Sequence, residues 1–386
     1  MSLNSNHALK SLFQLRPDIT FLNFGSFGAS PKEITEDFRK WQDMLEYEPV
    51  QFIAVQGPEL LKKSREALGD FIHCNADDVV YTTNPSYAIN IIAKSLKLNA
   101  GEEILTTDLE YGAMDRTWEY YSNQNGYVYK RQSIRLPIAS KEDFIEQFWS
   151  GLTPKTRVVF ISQITSSTAL ILPVREICAR AKELGLITIV DGAHVPGHID
   201  LNLNTLQADI YTGACHKWMM APKGCSFLYV KNEMQHLFDP LVVSWGFDSS
   251  SPSDSRFIDY HQQQGTRDFS AFLTTPKTID FMKKNEWTHV SKLCRTLAHK
   301  NYFRFCDLLQ TKPLAPVSDE FIGQMCSIEI KTTQPEKLKW DLYSIHKIEI
   351  PVMVHSDKVY LRYSINAFND EADLDKLFDA LTKIDF

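Results

Sequence analysis

Residues 186–194 read LITIVDGAH, and residues 210–218 read IYTGACHKW. Each stretch begins with a short apolar run that predicts a strand, and polar residues follow that run. Strands that are apolar throughout are typical of a parallel sheet with both faces covered. Asp191 and His194 follow the first strand, and His216 and Lys217 follow the second. We therefore expect these side chains at the carboxyl edge of one sheet, where open α/β sheets bind ligands.

Alternating strands and helices extend outward from these two segments. The predicted strands are 79–83, 102–107, 158–163, 186–190 and 210–213, and the predicted helices are 59–73, 86–96, 112–121 and 174–184. This order predicts a mainly parallel sheet with helices on both of its faces.

The pattern changes after about residue 266. A long helical region over 271–309 precedes two predicted strands, 350–354 and 359–363, and a last helix over 371–384. We interpret this part as a smaller α+β domain that the long helix joins to the first. The predicted organisation is an N-terminal arm (1–20) that packs on the small domain, a large α/β domain (21–270) and the small domain (271–386).

Composition excludes several classes of protein. The 386 residues carry a formal net charge of −7, so no basic field favours nucleic acid as the main partner. The seven cysteines are scattered without a CxxC pair, which indicates neither a metal site nor a disulfide framework. The N-terminus lacks an apolar signal core, and no apolar run is long enough to span a bilayer. We expect a cytoplasmic protein with reduced thiols and no membrane partner.

Two further strand ends carry polar or aromatic groups. Residues 81–88 (YTTNPSYA) lead from a strand into a helix, whose free N–H groups and Ser86 hydroxyl suit a phosphate. Simple capping of that helix by Asn84 or Ser86 is the alternative interpretation. At residues 108–113 (DLEYGA), Tyr111 opens a helix after a strand. An ordinary core or interface tyrosine would look the same.

Each of these signals is weak alone, but together they match one cofactor. Asp191-Gly192 is a common turn, and the pair His216-Lys217 occurs by chance in a chain of this size. A lysine just past a strand end can, however, be desolvated into a neutral amine nucleophile. Pyridoxal 5′-phosphate needs such an amine, an acid against its pyridine nitrogen, a phosphate pocket and a flat group across its ring. The sequence offers all four.

Five segments resemble the class V aminotransferase family of fold-type I pyridoxal-phosphate enzymes, and especially its isopenicillin N epimerase-like branch. They are 22–31 (LNFGSFGASP), 191–194 (DGAH), 212–218 (TGACHKW), 264–268 (QGTRD) and 360–364 (YLRYS). They follow the family's order and spacing over nearly the whole chain. The resemblance implies an α/β fold-type I architecture, which has a mainly parallel seven-stranded sheet with helices on both faces and a smaller α+β C-terminal domain.

The resemblance also implies roles for residues around the cofactor ring. Lys217 would be the Schiff-base lysine and the proton shuttle at the substrate α-carbon, and Asp191 would pair with the pyridinium nitrogen. His194 would lie close to the phenolic side of the ring, and Tyr111 would stack on it. Ser166 stands where many relatives use an asparagine against the phenolic oxygen, so this contact departs from the family pattern.

For the phosphate and the substrate, the resemblance implies contributions from several segments. Pro85, Ser86 and Tyr87 occupy the phosphate-loop positions, although Pro85 has no N–H to donate. His216 would reach the phosphate, as would Thr266 from a neighbouring subunit, which implies a homodimer with active sites at its interface. Ala214 replaces a phosphate-binding serine or asparagine of the family.

Arg362 would bind the substrate carboxylate, since its rigid pair of donors suits that task. Ser26 and Phe27 would line the substrate entrance. The segment 351–358 (PVMVHSDK) contains no cysteine, whereas the desulfurase relatives carry a nucleophilic cysteine in that region. This difference disfavours persulfide-forming cysteine desulfuration.

The predicted activity is therefore chemistry at the α-carbon of an amino acid. Epimerisation, lyase chemistry such as C–S cleavage, and transamination all remain open, and the epimerase-like branch favours the first two. A non-catalytic cofactor-binding homologue is disfavoured, because such a protein would not need Lys217, Asp191 and Arg362 together. A nicotinamide enzyme is disfavoured as well, since no GxGxxG follows the first predicted strand.

Overall fold

Strands form three sheets within residues 9–384, which the computed structural model describes. In chain order the strands are β1 (Thr20–Phe21), β2 (Val79–Thr82), β3 (Glu103–Thr107), β4 (Val128–Gln132), β5 (Thr156–Ser162), β6 (Ile187–Gly192), β7 (Ile210–Ala214), β8 (Ser226–Val230), β9 (Met325–Ile330), β10 (Ile348–Glu349), β11 (Val352–His355) and β12 (Lys358–Ser364). The largest sheet has seven strands in the order β2-β8-β7-β6-β5-β3-β4, and only β8 runs antiparallel to its neighbours. The predicted mainly parallel α/β sheet is confirmed.

The α-helices of the described residues lie before, between and after these strands. They are α1 (Phe24–Phe27), α2 (Lys32–Tyr47), α3 (Gly57–Ile72), α4 (Pro85–Ser95), α5 (Gly112–Asn125), α6 (Lys141–Trp149), α7 (Val174–Glu183), α8 (Leu203–Leu206), α9 (Arg256–Gln262), α10 (Ser270–Leu273), α11 (Thr275–Lys284), α12 (Trp287–Leu308), α13 (Pro335–Ser344) and α14 (Glu371–Leu381). A π-helical turn, Gln51–Gln56, leads into α3. The four helices predicted between the first strands correspond to α3, α4, α5 and α7.

Strand β5 shows why its sequence is apolar throughout. Successive side chains of a strand point to opposite faces of the sheet. Val158 and Phe160 belong to one hydrophobic cluster, whereas Val159 and Ile161 belong to another. All four side chains are fully buried, so the sheet has a core on each face and no face in water.

The prediction of one long helical region over 271–309 is wrong in detail. This part of the chain consists of three helices, α10, α11 and α12. Glu286, just before Trp287, has a φ of 48°. A residue in this left-handed conformation cannot continue a right-handed helix. The chain therefore turns between α11 and α12 instead of forming one long helix.

The C-terminal part contains a three-stranded antiparallel sheet, β11-β12-β9, with α12 packed against β9. The N-terminal segment joins this part, since β1 pairs in parallel with β10. The ring of Phe13 also lies 5.0 Å from that of Phe368. Residues 1–8 of the predicted N-terminal arm lie outside the described residues. The domain boundaries at residues 20 and 270 stay predictions.

Among residues 9–384, no helix combines the length and apolarity needed to cross a bilayer. In the same part of the chain, no group of three or more His, Cys, Asp or Glu side chains is arranged to hold a metal ion.

The two-sided core predicts the effect of a cavity in β5. We expect Phe160→Ala to lower the free energy of unfolding by about 3–5 kcal/mol, because it removes a fully buried ring beside Trp118. The control Phe303→Ala, at a side chain that is 54% exposed on α12, should change stability by no more than about 0.5 kcal/mol. Urea unfolding followed by tryptophan fluorescence measures both values. Equal losses in the two variants would contradict this account of the core.

Candidate active site

The site lies at the carboxyl ends of β6 and β7. These neighbouring strands are parallel, and Asp191 of β6 pairs with Thr212 of β7. Lys217 follows three residues after the end of β7. The structure therefore brings Asp191, His194 and Lys217 together at one edge of the sheet, as the sequence predicts.

Lys217 is a partly buried amine with an unusual acidity. Its Nζ lies 3.2 Å from Nε2 of His194. Burial lowers the pKa of Lys217 to about 8, with a smaller contribution from the positive charge of Arg362, while the Asp191 carboxylate opposes the shift. At neutral pH about a tenth of this side chain is thus a neutral amine, the form that attacks carbonyl carbons.

Asp191 is a buried carboxylate with room for a further donor. Its Oδ1 accepts a hydrogen bond from the backbone N–H of Ala193 at 2.9 Å. This is the single hydrogen bond that the carboxylate makes with the described residues. Burial raises the pKa of Asp191, whereas the Ala193 N–H and the charge of Lys217 lower it. The second carboxylate oxygen remains available to an N–H group such as that of a pyridinium ring.

His194 links the lysine to the aromatic residue after it. The indole N–H of Trp218 donates to Nδ1 of His194 at 3.3 Å, and both side chains are buried. Burial lowers the pKa of His194 well below its ordinary value, and the positive charge of Lys217 acts in the same direction. The imidazole of His194 is therefore neutral.

Arg362 reaches the same site from β12 of the smaller sheet. Its side chain is buried, and burial lowers its pKa to about 10. One terminal nitrogen donates to the backbone oxygen of Ser166 at 2.6 Å, and the other donates to Oγ of Ser26 at 3.2 Å. Nε is buried without a partner among residues 9–384. Tyr111, which is half-exposed at the start of α5, lies close enough to interact electrostatically with the guanidinium.

The predicted phosphate loop is the beginning of α4. Pro85 is the first residue of this helix, and the side chain of Asn84 caps it by accepting the N–H of Tyr87 at 2.8 Å. The capping interpretation of Asn84 is thus correct, and the cap occupies the N–H of Tyr87. The N–H and hydroxyl groups of Ser86 are what this turn offers to a phosphate.

His216 and Thr266, which are both predicted to bind the phosphate, differ in burial and in hydrogen bonding. The Nδ1 of His216 donates to the backbone oxygen of Cys225 at 2.8 Å, and burial lowers the pKa of His216 to about 4. A contact with phosphate would therefore use Nε2, which must gain a proton to donate. Thr266 is exposed, and its neighbour Gln264 accepts a hydrogen bond from Tyr87 of the same chain at 3.0 Å. The contribution of Thr266 to the phosphate site of a neighbouring subunit stays a prediction.

Ser26 and Phe27, which are predicted to line the substrate entrance, differ in exposure. Ser26 is held between Arg362 and the side chain of Asn23. Phe27, the next residue, is 71% exposed. The structure therefore places Ser26 at the guanidinium and Phe27 on the surface beside it.

Glu110 is a part of this region that the sequence analysis missed. It is buried, accepts the hydroxyl of Thr107 at 2.7 Å and the backbone N–H of Ser162 at 2.9 Å, and interacts electrostatically with Asp191. Burial raises the pKa of Glu110 to about 8. An acid directly before Tyr111 at a strand end was the available signal, but only the tyrosine was considered.

Known proteins match this chain over most of its length. The family described as aminotransferase class-V matches residues 51–377. The chain is 32% identical to the isopenicillin N epimerase of Amycolatopsis lactamdurans over 96% of each chain, and 32% identical to that of Streptomyces clavuligerus over 95% of each chain. It is 24% identical to the L-cysteine desulfhydrase of Arabidopsis thaliana, over 94% of this chain and 87% of the relative.

Solved structures share the fold. A cystine C–S lyase in complex with its product cysteine persulfide superposes with a TM-score of 0.83 at 19% identity, over 95% of this chain and 98% of that one. The apo cysteine desulfurase of Thermococcus onnurineus NA1 also gives a TM-score of 0.83 at 19% identity, over 99% of this chain and 98% of that one. At such low identity these two structures establish the fold alone.

The chain belongs to the class V aminotransferase family. It is a pyridoxal-phosphate-dependent enzyme with the fold-type I architecture, as the sequence predicted. The residues of the site fit this cofactor, because they combine a partly neutral amine at Lys217 with a buried carboxylate at Asp191 that has a free oxygen. The open helix start at Ser86 supplies donors for a phosphate.

Gly28 predicts a test of how the lysine segment is held. It has a φ of 65°, and a Cβ there would lie 2.4 Å from the His216 oxygen and 2.6 Å from the Lys217 oxygen. We expect Gly28→Ala to displace Lys217 and to weaken cofactor binding by about tenfold or more, since small misplacements of reacting groups are costly. In the control Gly224→Ala, the φ of 87° gives similar backbone strain, but no described atom lies within 4 Å of the new Cβ. Fluorescence titration with pyridoxal phosphate measures both affinities, and an equal loss in both variants would disprove the steric explanation.

Proposed function

We propose that this enzyme removes the α-proton of an amino-acid substrate with Lys217 and that a second acid delivers a proton to the opposite face of the same carbon, so that the substrate is epimerised. The observation that supports this most directly is the convergence of three groups. Lys217 and Asp191 come from adjacent strand ends, and the buried Arg362 comes from the smaller sheet.

The residues have distinct proposed tasks. Pyridoxal phosphate supplies an aldehyde that joins amines and a ring that accepts the electron pair left at the α-carbon. Asp191 would keep the pyridine nitrogen protonated, because a buried carboxylate with a free oxygen favours a facing cation. Lys217 would anchor the cofactor and act as the general base in its neutral form. His194 would face the phenolic side of the ring, and Tyr111 would stack on it.

The phosphate and the substrate carboxylate would occupy opposite ends of the site. Ser86 and His216 would bind the phosphate, with Pro85 and Tyr87 shaping the loop. Arg362 would bind the carboxylate through Nε and its terminal nitrogens, since a buried guanidinium with an unpartnered N–H favours an anion. Ser26 and Ser166 would orient Arg362, and Phe27 would line the entrance.

Epimerisation is favoured by the relatives that match the full chain at 32% identity, which are isopenicillin N epimerases. Cleavage of a C–S bond is the second candidate, because further relatives are L-cysteine desulfhydrases at lower identity. Both reactions begin with the same proton removal by Lys217. They differ in whether a β-substituent then leaves.

The attachment of the cofactor predicts a specific chemical result. We expect the purified protein to be yellow, and borohydride to fix the cofactor on the peptide that contains Lys217. The variant Lys217→Ala should lose all covalent labelling, because among residues 9–384 Lys217 is the one amine that interacts electrostatically with Asp191. The control Lys223→Ala, at a lysine six residues away, should be labelled like the natural protein. Peptide mass spectrometry reads the position, and labelling of a different lysine would exclude the proposed site.

The reaction predicts a distinctive isotope pattern. With amino acids screened in deuterated water, we expect deuterium at the α-carbon and a product of inverted configuration, without release of a keto acid. Proton NMR and chiral chromatography measure the two effects. Release of pyruvate and sulfide from cysteine would instead support C–S cleavage. Complete retention of the α-proton in every substrate would refute both candidates.

A second copy of the chain is the partner that we propose. Large apolar side chains are left exposed in two segments, with Tyr47 and Val50 in the first and Val243 and Trp245 in the second; Trp245 is 85% exposed. Exposed apolar groups of this size indicate contact surfaces. In a homodimer, Thr266 would complete the phosphate site of the partner, so each active site would lie at the interface.

The dimer predicts the effect of a charge at Trp245. We expect the natural protein to sediment as a dimer and Trp245→Glu to shift it toward monomer with a parallel loss of bound cofactor, because a buried charge without a partner is costly. Trp340→Glu is the control, since Trp340 is also exposed, at 65%, but lies on α13 of the smaller domain. A monomer with full activity would contradict this proposal.

The proposed location is the cytoplasm. All seven cysteines are unpaired thiols, and burial raises the pKa of Cys178 and Cys294 to about 12. Thiols of this kind are structural core residues, which suit a reducing compartment.

A further inference from the structure

The indole ring of Trp218 lies against the two histidines that follow β6. Its N–H donates to Nδ1 of His194 at 3.3 Å, and its ring stacks on His198 with centroids 3.9 Å apart. His198 is fixed at both nitrogens. Its Nε2 accepts the N–H of Gln324 at 2.6 Å, and its Nδ1 donates to the backbone oxygen of His194 at 2.9 Å. The indole and the His194 backbone are thus held by one buried ring.

This arrangement determines which nitrogen of His194 carries its proton. An indole N–H can only donate, so Nδ1 of His194 must provide a lone pair. A neutral imidazole has one N–H, and that N–H is therefore on Nε2. The same Nε2 lies 3.2 Å from Nζ of Lys217. The imidazole donates in this contact, and the lysine must accept.

A lysine can accept a hydrogen bond only as a neutral amine, because an ammonium group has three donors and no lone pair. The contact between His194 and Lys217 therefore exists only when Lys217 is uncharged. If the proton of His194 lay on Nδ1 instead, Nε2 would accept a hydrogen bond from the ammonium form. The tautomer of His194 thus selects between the two charge states of Lys217.

We propose that Trp218 is a positioning residue for the reaction, because its N–H holds His194 in the tautomer that favours Lys217 as a neutral, nucleophilic amine. His198 supports this role by holding the indole ring. The inference rests on the proposed function of Lys217 and adds to it a residue that acts through His194.

Other charged groups also face this lysine. The carboxylate of Asp191 favours its ammonium form, whereas the guanidinium of Arg362 opposes that form. Around His194, the facing groups are Lys217, Arg362, His198 and His216. Burial, the charge of Arg362 and the His194 tautomer therefore all lower the pKa of Lys217, whereas the Asp191 carboxylate raises it. Loss of the Trp218 N–H should raise the pKa of Lys217.

The test is the pH dependence of Lys217 acylation in the full-length protein after removal of the cofactor. Acetic anhydride labels neutral amines, and mass spectrometry of the Lys217 peptide gives the midpoint. We expect about 8 for the natural protein and a rise of about half to one pH unit for Trp218→Phe, which is the effect of one hydrogen bond. Trp118→Phe is the matched control, because Trp118 is fully buried and its N–H has no partner among the described residues. Its midpoint should stay at the natural value.

An unchanged or lowered midpoint in Trp218→Phe would overturn the proposal. If that variant does not fold, β-benzothienylalanine at position 218 keeps the bicyclic shape without the N–H and must give the same rise. In a His194→Phe background, Trp218→Phe should add no further shift, and an undiminished shift there would also overturn it. Natural protein that never takes up pyridoxal phosphate refutes the proposed function itself. Normal uptake with an unmoved midpoint refutes only the role of Trp218.

Discussion

The structure depends most on a buried carboxylate and a partly buried amine that meet across two neighbouring parallel strands. Burial alone pushes each toward its uncharged form, since it raises the pKa of Asp191 and lowers that of Lys217. Each charge partly offsets this effect on the other. A pair balanced in this way can hold a cationic ring nitrogen at the carboxylate while keeping a fraction of the amine neutral. Parallel strands are what make the pair possible, because their carboxyl ends lie at one edge.

The smaller sheet completes the site by bringing a third buried charge. Arg362 extends from β12, and its terminal nitrogens are held by Ser26 near the N-terminus and by Ser166 after β5. Three distant parts of the chain therefore meet at one guanidinium. A buried cation with an unpartnered N–H is costly unless an anion joins it. This cost favours binding of an anion, such as the substrate carboxylate that we propose, and it also ties the position of the smaller sheet to the active site.

The sequence predicted five of the seven strands of the large sheet, but it missed β4 and β8 there and β9 of the smaller sheet, although β8 and β9 are buried. Strands β5, β6 and β7 are covered on both faces, so their apolar runs are plain. Strand β4 (VYKRQ) is a sheet edge with half-exposed side chains, and its polar residues give no strand pattern. The break at Glu286 carries no glycine or proline, and its weaker signals are two lysines and Asn285 at the end of α11.

The same reasoning applies to the site. Asp191, His194 and Lys217 were predictable because strand ends of a parallel sheet must converge. The contacts of Trp218 and Glu110 were not, because they depend on side-chain directions that only the folded chain defines. Trp218 is buried, and its single polar atom faces His194.

The most direct test of the coupling between Asp191 and Lys217 is the pKa of Lys217 in Asp191→Asn, compared with the natural protein, both without cofactor. The carboxylate raises the pKa of Lys217, so the neutral side chain of asparagine should lower it below the natural value of about 8. Asp209→Asn, which removes a carboxylate that pairs with Lys231 instead, should leave it unchanged. A Lys217 pKa that is the same in Asp191→Asn as in the natural protein would show that the two groups do not interact, and the central claim would be wrong.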